Sequence, residues 1–414
     1  MQRRTFLNTG LAGAGAYASF LSNARAQGTS RAPKLTIREI RAVRLRGAVT
    51  NYVRVYTDQG LTGTGEMVDN AGSAYIVNTH LGPGLVGKDP LDIEGIWFNY
   101  WGYGTPPEAL PAVFMRGMGG PYLSALSGIE IALWDLAGKA LGVPVYRLLG
   151  GKVRSKEADY HHASDPERAK QLIRDTGVRC LKVGLDGATV RDNDSKGWDP
   201  GKLANFSVNN AQIDDMAELV GRMREAVGKD VELPLELHTR YDTESAIQIA
   251  KAVEPYRPMW LEEPVPSDNV EAMAKVRSMT RIPIAAGENI YTRWGFRPYL
   301  EHQALSIIQM DMCKCGGLLE ARKIAAMAEV YHIPIAPHGV ASTLGKVAFA
   351  HVCATVPNFL ILEWSLNRKV NDPFTTTANL DRSGFVILPE TPGIGIELHD
   401  DAVKEAMVPG FQPL

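Results

Sequence analysis

The second half of the chain alternates short apolar runs with longer amphipathic stretches, and six of the runs end on a residue able to do chemistry. LPLE closes at Glu236, MWLE at Glu262, IPIAAGE at Glu288, LSIIQMD at Asp311, IPIAPH at His338 and FLILE at Glu363. Continuous apolar runs of this kind read as parallel strands buried on both faces. Successive end residues lie 26, 26, 23, 27 and 25 positions apart. That is one strand, loop and helix each time, the repeating unit of a (β/α) barrel. Every strand of such a barrel points its C-terminal end at one face, so the six residues are expected to meet at one mouth. Ser155 to His161 and Val178 to Val183 read as the two preceding strands, the second ending near Lys182.

The first part of the chain has a different rhythm. Leu35 to Arg46, Asn51 to Thr57 and Leu61 to Glu66 predict three strands joined by pieces of hairpin length. Helical patterns follow at Ser73 to Gly84 and Tyr122 to Leu141, the second apolar on most faces and therefore expected to be buried between domains. Strands followed by helices indicate a separate α+β domain. We expect a capping domain over residues 33–148, an α/β barrel over 149–370, and a C-terminal segment, 371–414, that packs back on the cap. From Lys182 to Glu236 is 54 positions, about twice the later period. The excess lies in Leu185 to Asn210, a polar stretch expected to be a functional loop over the mouth. Substrate selection is expected there and in loops around Asn51 and Tyr103.

A length of 414 residues fits one large barrel plus a smaller partner. The formal charge of −2, with mixed signs, gives no reason to expect nucleic acid or anionic membranes as partners. The four cysteines form neither a disulfide framework nor a zinc knuckle. Cys313 and Cys315, spaced to share one face of a strand, could ligate a metal or be ordinary buried thiols. Arg3-Arg4-Thr5-Phe6-Leu7, a weakly apolar run from Gly10 to Leu21 and Ala24-Arg25-Ala26 resemble a twin-arginine export signal over residues 1–26. A disordered or anchoring tail is the alternative. The export reading predicts a periplasmic protein with no membrane insertion after cleavage, since the run is too short and Gly-rich to span a bilayer well.

Glu236, Glu262 and Glu288 offer oxygen only, and such a set selects a hard ion, most plausibly Mg²⁺. A ring of salt bridges around the mouth is the bland alternative. It has to overcome the repulsion of three carboxylates at successive strand ends. Asp311 and His338, on adjacent strands, read as an orienter and a base, because a carboxylate on one imidazole nitrogen makes the other more basic. Glu363 opposite reads either as a hydrogen-bond donor to a substrate carboxylate or as a structural residue. His238, two residues after Glu236, is expected on the same strand face and so in the same pocket. His161 and His162 end the first barrel strand and could also line the mouth. His80, His302, His332, His351 and His399 fall on helices or tails and are read as structural.

These residues resemble the enolase superfamily, in particular its mandelate racemase-like branch and, within it, acid-sugar dehydratases of the D-galactonate dehydratase type. The resemblance rests on Ser127-Gly128-Ile129-Glu130-Ile131-Ala132-Leu133-Trp134-Asp135, Leu261-Glu262-Glu263-Pro264, Gly287-Glu288-Asn289 with Thr292-Arg293-Trp294, Asp311 with Gly316-Gly317, Ala336-Pro337-His338 and Pro392-Gly393-Ile394-Gly395-Ile396-Glu397. It implies a modified (β/α)7β TIM-like barrel with an N-terminal cap completed by the C-terminal tail, and a homo-oligomer. It implies Mg²⁺ on Glu236, Glu262 and Glu288, removal of the α-proton by His338 with Asp311, departure of the leaving hydroxyl assisted by His238, and Lys182 near the substrate carboxylate. The small-molecule substrate would be a sugar acid, dehydrated to a 2-keto-3-deoxy acid.

Three departures from the pattern carry information. Racemases of the branch have Lys-x-Lys on the second strand, whereas this chain has Lys182-Val183-Gly184 and lacks the opposing base. The first ligand is Glu236 where the dehydratase pattern has Asp. Gly339-Val340-Ala341-Ser342 and Trp364 look more like the wider branch than like galactonate enzymes. Competing readings are an epimerase or cycloisomerase on the same carboxylates, a metal-dependent barrel hydrolase, which would want His-x-His on the first strand, and a periplasmic binder, which has no need of the Asp311–His338 pair.

Overall fold

The computed structural model describes residues 33–68, 72–101, 119–185, 207–364, 373–376, 379–381 and 385–414. The export-signal reading, Tyr103 and residues 186–206 of the long loop lie outside the described residues. Among the described residues no helix is long and apolar enough to cross a membrane.

An antiparallel sheet opens the described chain, with β1 (Ile37–Arg44), β2 (Thr50–Thr57) and β3 (Thr62–Val68) in that order. Asn51 is buried at the start of β2, directly after the short turn of residues 46–49. The sheet packs on the long helix α2 (Pro121–Leu141), and α1 (Ile93–Tyr100) lies against that helix. Glycines with positive φ, Gly120 and Gly142, flank α2, the second stopping it in the left-handed conformation. Nearly all of α2 is buried, as its all-round apolarity predicts. Contact with β3 is so close that a Cβ on Gly65 would lie 2.1 Å from the Gly128 carbonyl oxygen. The predicted helix from Ser73 to Gly84 is interrupted by a π-helical turn, Val77–Leu81.

Seven strand–helix units and a last strand follow. They are β4 (Glu157–His162), α3 (Pro166–Thr176), β5 (Leu181–Gly184), α4 (Asn210–Val227), β6 (Leu235–Glu236), α5 (Thr243–Val253), β7 (Leu261–Glu262), α6 (Val270–Ser278), β8 (Ile284–Ala286), α7 (Thr292–Glu301), β9 (Ile307–Ile308), then α8 (Leu318–Val330), α9 (Thr343–Cys353) and β10 (Leu362–Glu363). The seventh strand position is held by Ile335, which bridges Ile308 on one side and Phe359 on the other. β10 pairs in parallel with β4 and closes the ring. Local chemistry starts the helices: the side chains of Asp165, Asp242 and Asn269 cap α3, α5 and α6, and Asn209 with Gln212 forms a capping box on α4.

Two apolar layers hold the barrel. Outward-facing strand residues and inward helix faces make the main core. A separate cluster of Tyr160, Cys180, Trp260, Ala285, Ile307, Ala336 and Ile361 fills the inside. The C-terminal tail divides between both domains. β11 (Asn379–Asp381) and β12 (Phe385–Ile387) add to the start of β4, while Met407 bridges Leu45 and Asp400 pairs with Arg54 of the cap. Packing on the cap alone, as expected, describes only the later part of the tail.

Candidate active site

Alternation along the strands turns the inner apolar layer into a polar mouth. Lys182 follows Cys180 by two, Glu262 follows Trp260, Gln309 follows Ile307 and Glu363 follows Ile361, so each shares its predecessor's side. Each of Glu236, Glu262 and Glu288 brings a carboxylate oxygen within 4.8 Å of the other two. Burial, and then the Glu262 charge, raise the Glu236 carboxyl well above its usual range. Three carboxylates so close call for positive charge, and an all-oxygen donor set of this kind fits a hard divalent cation such as Mg²⁺.

Lys182 already brings one charge to the group. Its ammonium lies 2.9 Å from Glu236 Oε2, 2.8 Å from Glu262 Oε1 and 3.0 Å from Glu363 Oε1. Burial opposes the charge, but Glu262, Glu363 and Glu236 together hold Lys182 well above its ordinary range. The other Glu262 oxygen accepts from Trp260 Nε1 at 2.9 Å and Gln309 Nε2 at 2.7 Å.

His338 links the carboxylates to a second polar group. Its Nδ1 lies 2.8 Å from Asp311 Oδ2, and its Nε2 lies 3.0 Å from Glu288 Oε2. The other Asp311 oxygen accepts from the Cys313 amide at 2.8 Å, which fixes the carboxylate from the backbone side. Since the Asp311 carboxylate is an acceptor, the Nδ1–H donates and Nε2 is the nitrogen facing the mouth. Burial works against an imidazolium here, yet Glu288 and Asp311 outweigh it and raise His338 well above its usual range.

His238 reaches the site by a route that strand alternation does not describe. β6 ends at Glu236, and both His238 (φ 48°) and Thr239 (φ 58°) are left-handed. The turn aims the His238 amide at Glu236 Oε1, 2.8 Å away, and brings its Nε2 to 3.8 Å from Glu236 Oε2. Its side chain is 46% exposed, far more open than the buried Glu236 beside it.

Of the two readings of Glu363, a donor to the substrate carboxylate or a structural residue, its surroundings favour the second. One oxygen faces His162 Nε2 at 2.5 Å and Lys182, and the other accepts from the Gly339 amide at 2.8 Å. Burial pushes its carboxyl up, but Lys182 and His162 outweigh that and hold it well below the carboxylate range. An ionised carboxylate accepts and does not donate, so Glu363 orders Lys182 and the Gly339 backbone instead. His162 thus turns to the mouth, whereas His161 points outward beside Asp159, 3.4 Å away. Cys313 and Cys315 sit in a buried turn, not a strand, so the shared strand face expected of their spacing is not formed.

Two further participants escaped the sequence reading. Gln309 is an amide flanked by Ile307, Ile308 and Met310 in an apolar run, which was its signal. Glu263, left-handed at φ 44°, accepts from the Gly287 amide at 3.0 Å and from Ser267 Oγ at 2.9 Å. Burial lifts its carboxyl to about 7. It ties the backbone before Glu288 to the strand that carries Glu262.

Residues 40–150 match the mandelate racemase / muconate lactonizing enzyme N-terminal domain, and residues 165–402 match the enolase C-terminal domain-like family. The chain belongs to this branch of the enolase superfamily. A D-xylonate dehydratase of Haloferax volcanii is 39% identical, with 86% of this chain and 85% of that protein covered. A D-galactonate dehydratase of Pectobacterium atrosepticum is 34% identical, with 86% and 90% covered. Among solved structures, a mandelate racemase/muconate lactonizing enzyme-like protein of Rubrobacter xylanophilus superposes with a TM-score of 0.81 at 36% identity, over 92% of this chain and 99% of that one. Both named relatives are dehydratases, hence hydro-lyases.

Proposed function

We propose that this protein is a Mg²⁺-dependent dehydratase of an aldonate-type sugar acid. It removes the proton α to the carboxylate and expels the neighbouring 3-hydroxyl to give a 2-keto-3-deoxy acid. The observation that carries this reading is the Asp311–His338 pair, with Nε2 directed at the carboxylate cluster and 3.0 Å from Glu288. Glu236, Glu262 and Glu288 would hold the ion, which when bound would draw charge from the substrate carboxylate and acidify the adjacent C–H.

His338 Nε2 takes the C2 proton while Asp311 holds the Nδ1–H and so the tautomer. His238, exposed beside Glu236, delivers a proton to the departing 3-hydroxyl, which leaves as water. The resulting enol then ketonises. Lys182 and Glu363 keep the floor of the site charged and ordered. Epimerisation needs a second base facing His338 across the substrate. Lys182 is engaged by three carboxylates, and position 184, where racemases of this branch carry a second lysine, is Gly184.

D-Xylonate and D-galactonate, the substrates in the relatives' names, are the first to test. Incubation with each and with other aldonates, with and without chelator, should yield a 2-keto-3-deoxy acid only when Mg²⁺ is present. A C2 epimer as the product would overturn dehydration. Export through the twin-arginine route belongs to the same proposal, and recovery of the full-length protein in the cytoplasmic fraction alone would refute it.

A further inference from the structure

The Asp311–His338 pair is gripped from the capping domain. α8 follows the strand that leads to Asp311, and α9 follows the strand position that leads to His338. The first amides of any helix lack intrahelical partners, and these two helices have no side-chain cap of their own: the N-cap residues are Gly317 and Ser342, and neither makes a capping hydrogen bond. Cap carboxylates do the work instead. Glu130, from α2, accepts from the Leu318 amide at 2.7 Å and the Leu319 amide at 3.0 Å. Glu66, from β3, accepts from the Ser342 amide at 2.7 Å, the Ser342 hydroxyl at 2.5 Å and the Gly345 amide at 2.9 Å.

Both acids are buried, and the barrel is shaped to receive them. A Cβ on Gly317 would lie 2.1 Å from Glu130 Oε2, and one on Gly345 would lie 2.9 Å from Glu66 Oε2. A local Asp in place of Gly317 would have capped α8, and Ser342, at the N-cap of α9, turns its hydroxyl to Glu66 instead of its own helix, so the caps reach across 188 and 276 positions of chain. What the long reach adds is a link between domains. Only four positions separate His338 from the held Ser342, and seven separate Asp311 from the held Leu318. Ser127 Oγ adds a third tie, to the Gly316 amide at 2.9 Å.

We propose that Glu66 and Glu130 are positioning residues that set the Asp311–His338 hydrogen bond from the capping domain. Its kinetic consequence rests on the reading of His338 as the base; its structural consequence does not. Displacing a reacting group by about 1 Å costs on the order of 100-fold, so a shift of either loop reaches the rate directly.

The test uses full-length Glu66→Ala, Glu66→Gln, Glu130→Ala and Glu130→Gln. The His338 Nδ1 proton bonded to Asp311 is followed as a low-field NMR resonance, assigned by its loss in His338→Asn. We expect it to shift or broaden in the alanine variants and to move less in the glutamine variants, where the amide oxygen keeps the donors on one side while the NH₂ group turns towards those on the other. In parallel kcat should fall about 10- to 100-fold in the alanine variants with KM within about twofold. A cooperatively folded Glu66→Ala and Glu130→Ala with an unchanged resonance and unchanged kcat would reduce both acids to structural caps. If an alanine variant does not fold, Ser342→Ala, which removes one of the partners of Glu66, should move the resonance in the same direction, and no movement overturns the proposal. A wild-type protein that dehydrates no sugar acid would sink the functional reading and leave the resonance comparison to decide this one.

Discussion

Lys182 and Glu262 form a buried ion pair, Nζ to Oε1 2.8 Å, although the strand carrying Glu236 runs between theirs. Glu262 therefore meets donors on both oxygens: Lys182 on one, Trp260 and Gln309 on the other. Burial alone would raise its carboxyl, yet Lys182, and then the hydrogen bonds with Glu236 and Gln309, hold it below the usual range. Glu262→Gln removes an anion from the proposed ion site and turns an NH₂ group towards existing donors. Turnover should vanish and Mg²⁺ binding, read by calorimetry, should weaken by at least an order of magnitude. The unpaired donors should cost roughly 1–3 kcal/mol of stability. Near-normal activity of this variant in the presence of chelator would show that the ion assignment is wrong.

The carboxylate cluster was legible because a barrel imposes both a period and a common face. Glu236, Glu262 and Glu288 each follow an apolar run, and pattern alone says where such residues meet. His238 shows the limit of that logic. Its neighbourhood was anticipated, but two left-handed residues take it there, and a period-two rule has no means of seeing a strand end at Glu236. Glu363 stays open between two readings in the sequence for a different cause: its partners His162, Lys182 and Gly339 lie 201, 181 and 24 positions away, and they decide its charge. Glu66 and Glu130 were invisible as functional candidates because helix capping is normally local. Only an acid within the otherwise apolar face of α2 hinted at a buried partner for Glu130.

Gly65 tests how closely the cap is built. Its absent side chain lets β3 ride on the backbone of α2 at Gly128. Gly65→Ala must push strand and helix apart or distort both, an overpacking penalty of roughly 1–3 kcal/mol or more. Thermal unfolding should shift down by about 1–4 °C for a chain of this length. A melting temperature indistinguishable from wild type, within about 0.5 °C, would mean the interface yields more readily than its geometry implies.

His351 gives a pH signature remote from the mouth. Nδ1 accepts from the Tyr146 amide at 3.2 Å, and Nε2 donates to the Ile394 carbonyl at 3.0 Å, so the ring is neutral and joins the interdomain segment to the tail. Burial lowers its pKa from 6.5 to about 4. The unfolded chain thus takes up a proton at higher pH than the native one. The stability this His contributes is complete above about pH 6.5 and is lost as pH falls towards 4, up to about 3 kcal/mol. In denaturant titrations the advantage of wild type over His351→Gln should shrink steadily across that window. A constant difference from pH 7 to 4.5 would contradict the neutral assignment.

The two histidines at the mouth should fail in different ways. If His338 takes the C2 proton, His338→Asn loses dehydration and also loses exchange of that proton with solvent deuterium. His238 stands on the Glu236 side, 3.8 Å from that carboxylate and half exposed, where it can serve the leaving hydroxyl without touching C2. His238→Asn should then block dehydration while still allowing C2 exchange, since removing one positioned acid or base costs about 10²–10⁴-fold in the step it serves. Proton NMR in deuterium oxide follows both events in one sample, given a substrate with the correct C2 configuration. Exchange lost in both variants would make the two histidines a single acid–base unit. Dehydration at the wild-type rate in His238→Asn would remove the leaving-group acid altogether and bring the cycloisomerase alternative forward.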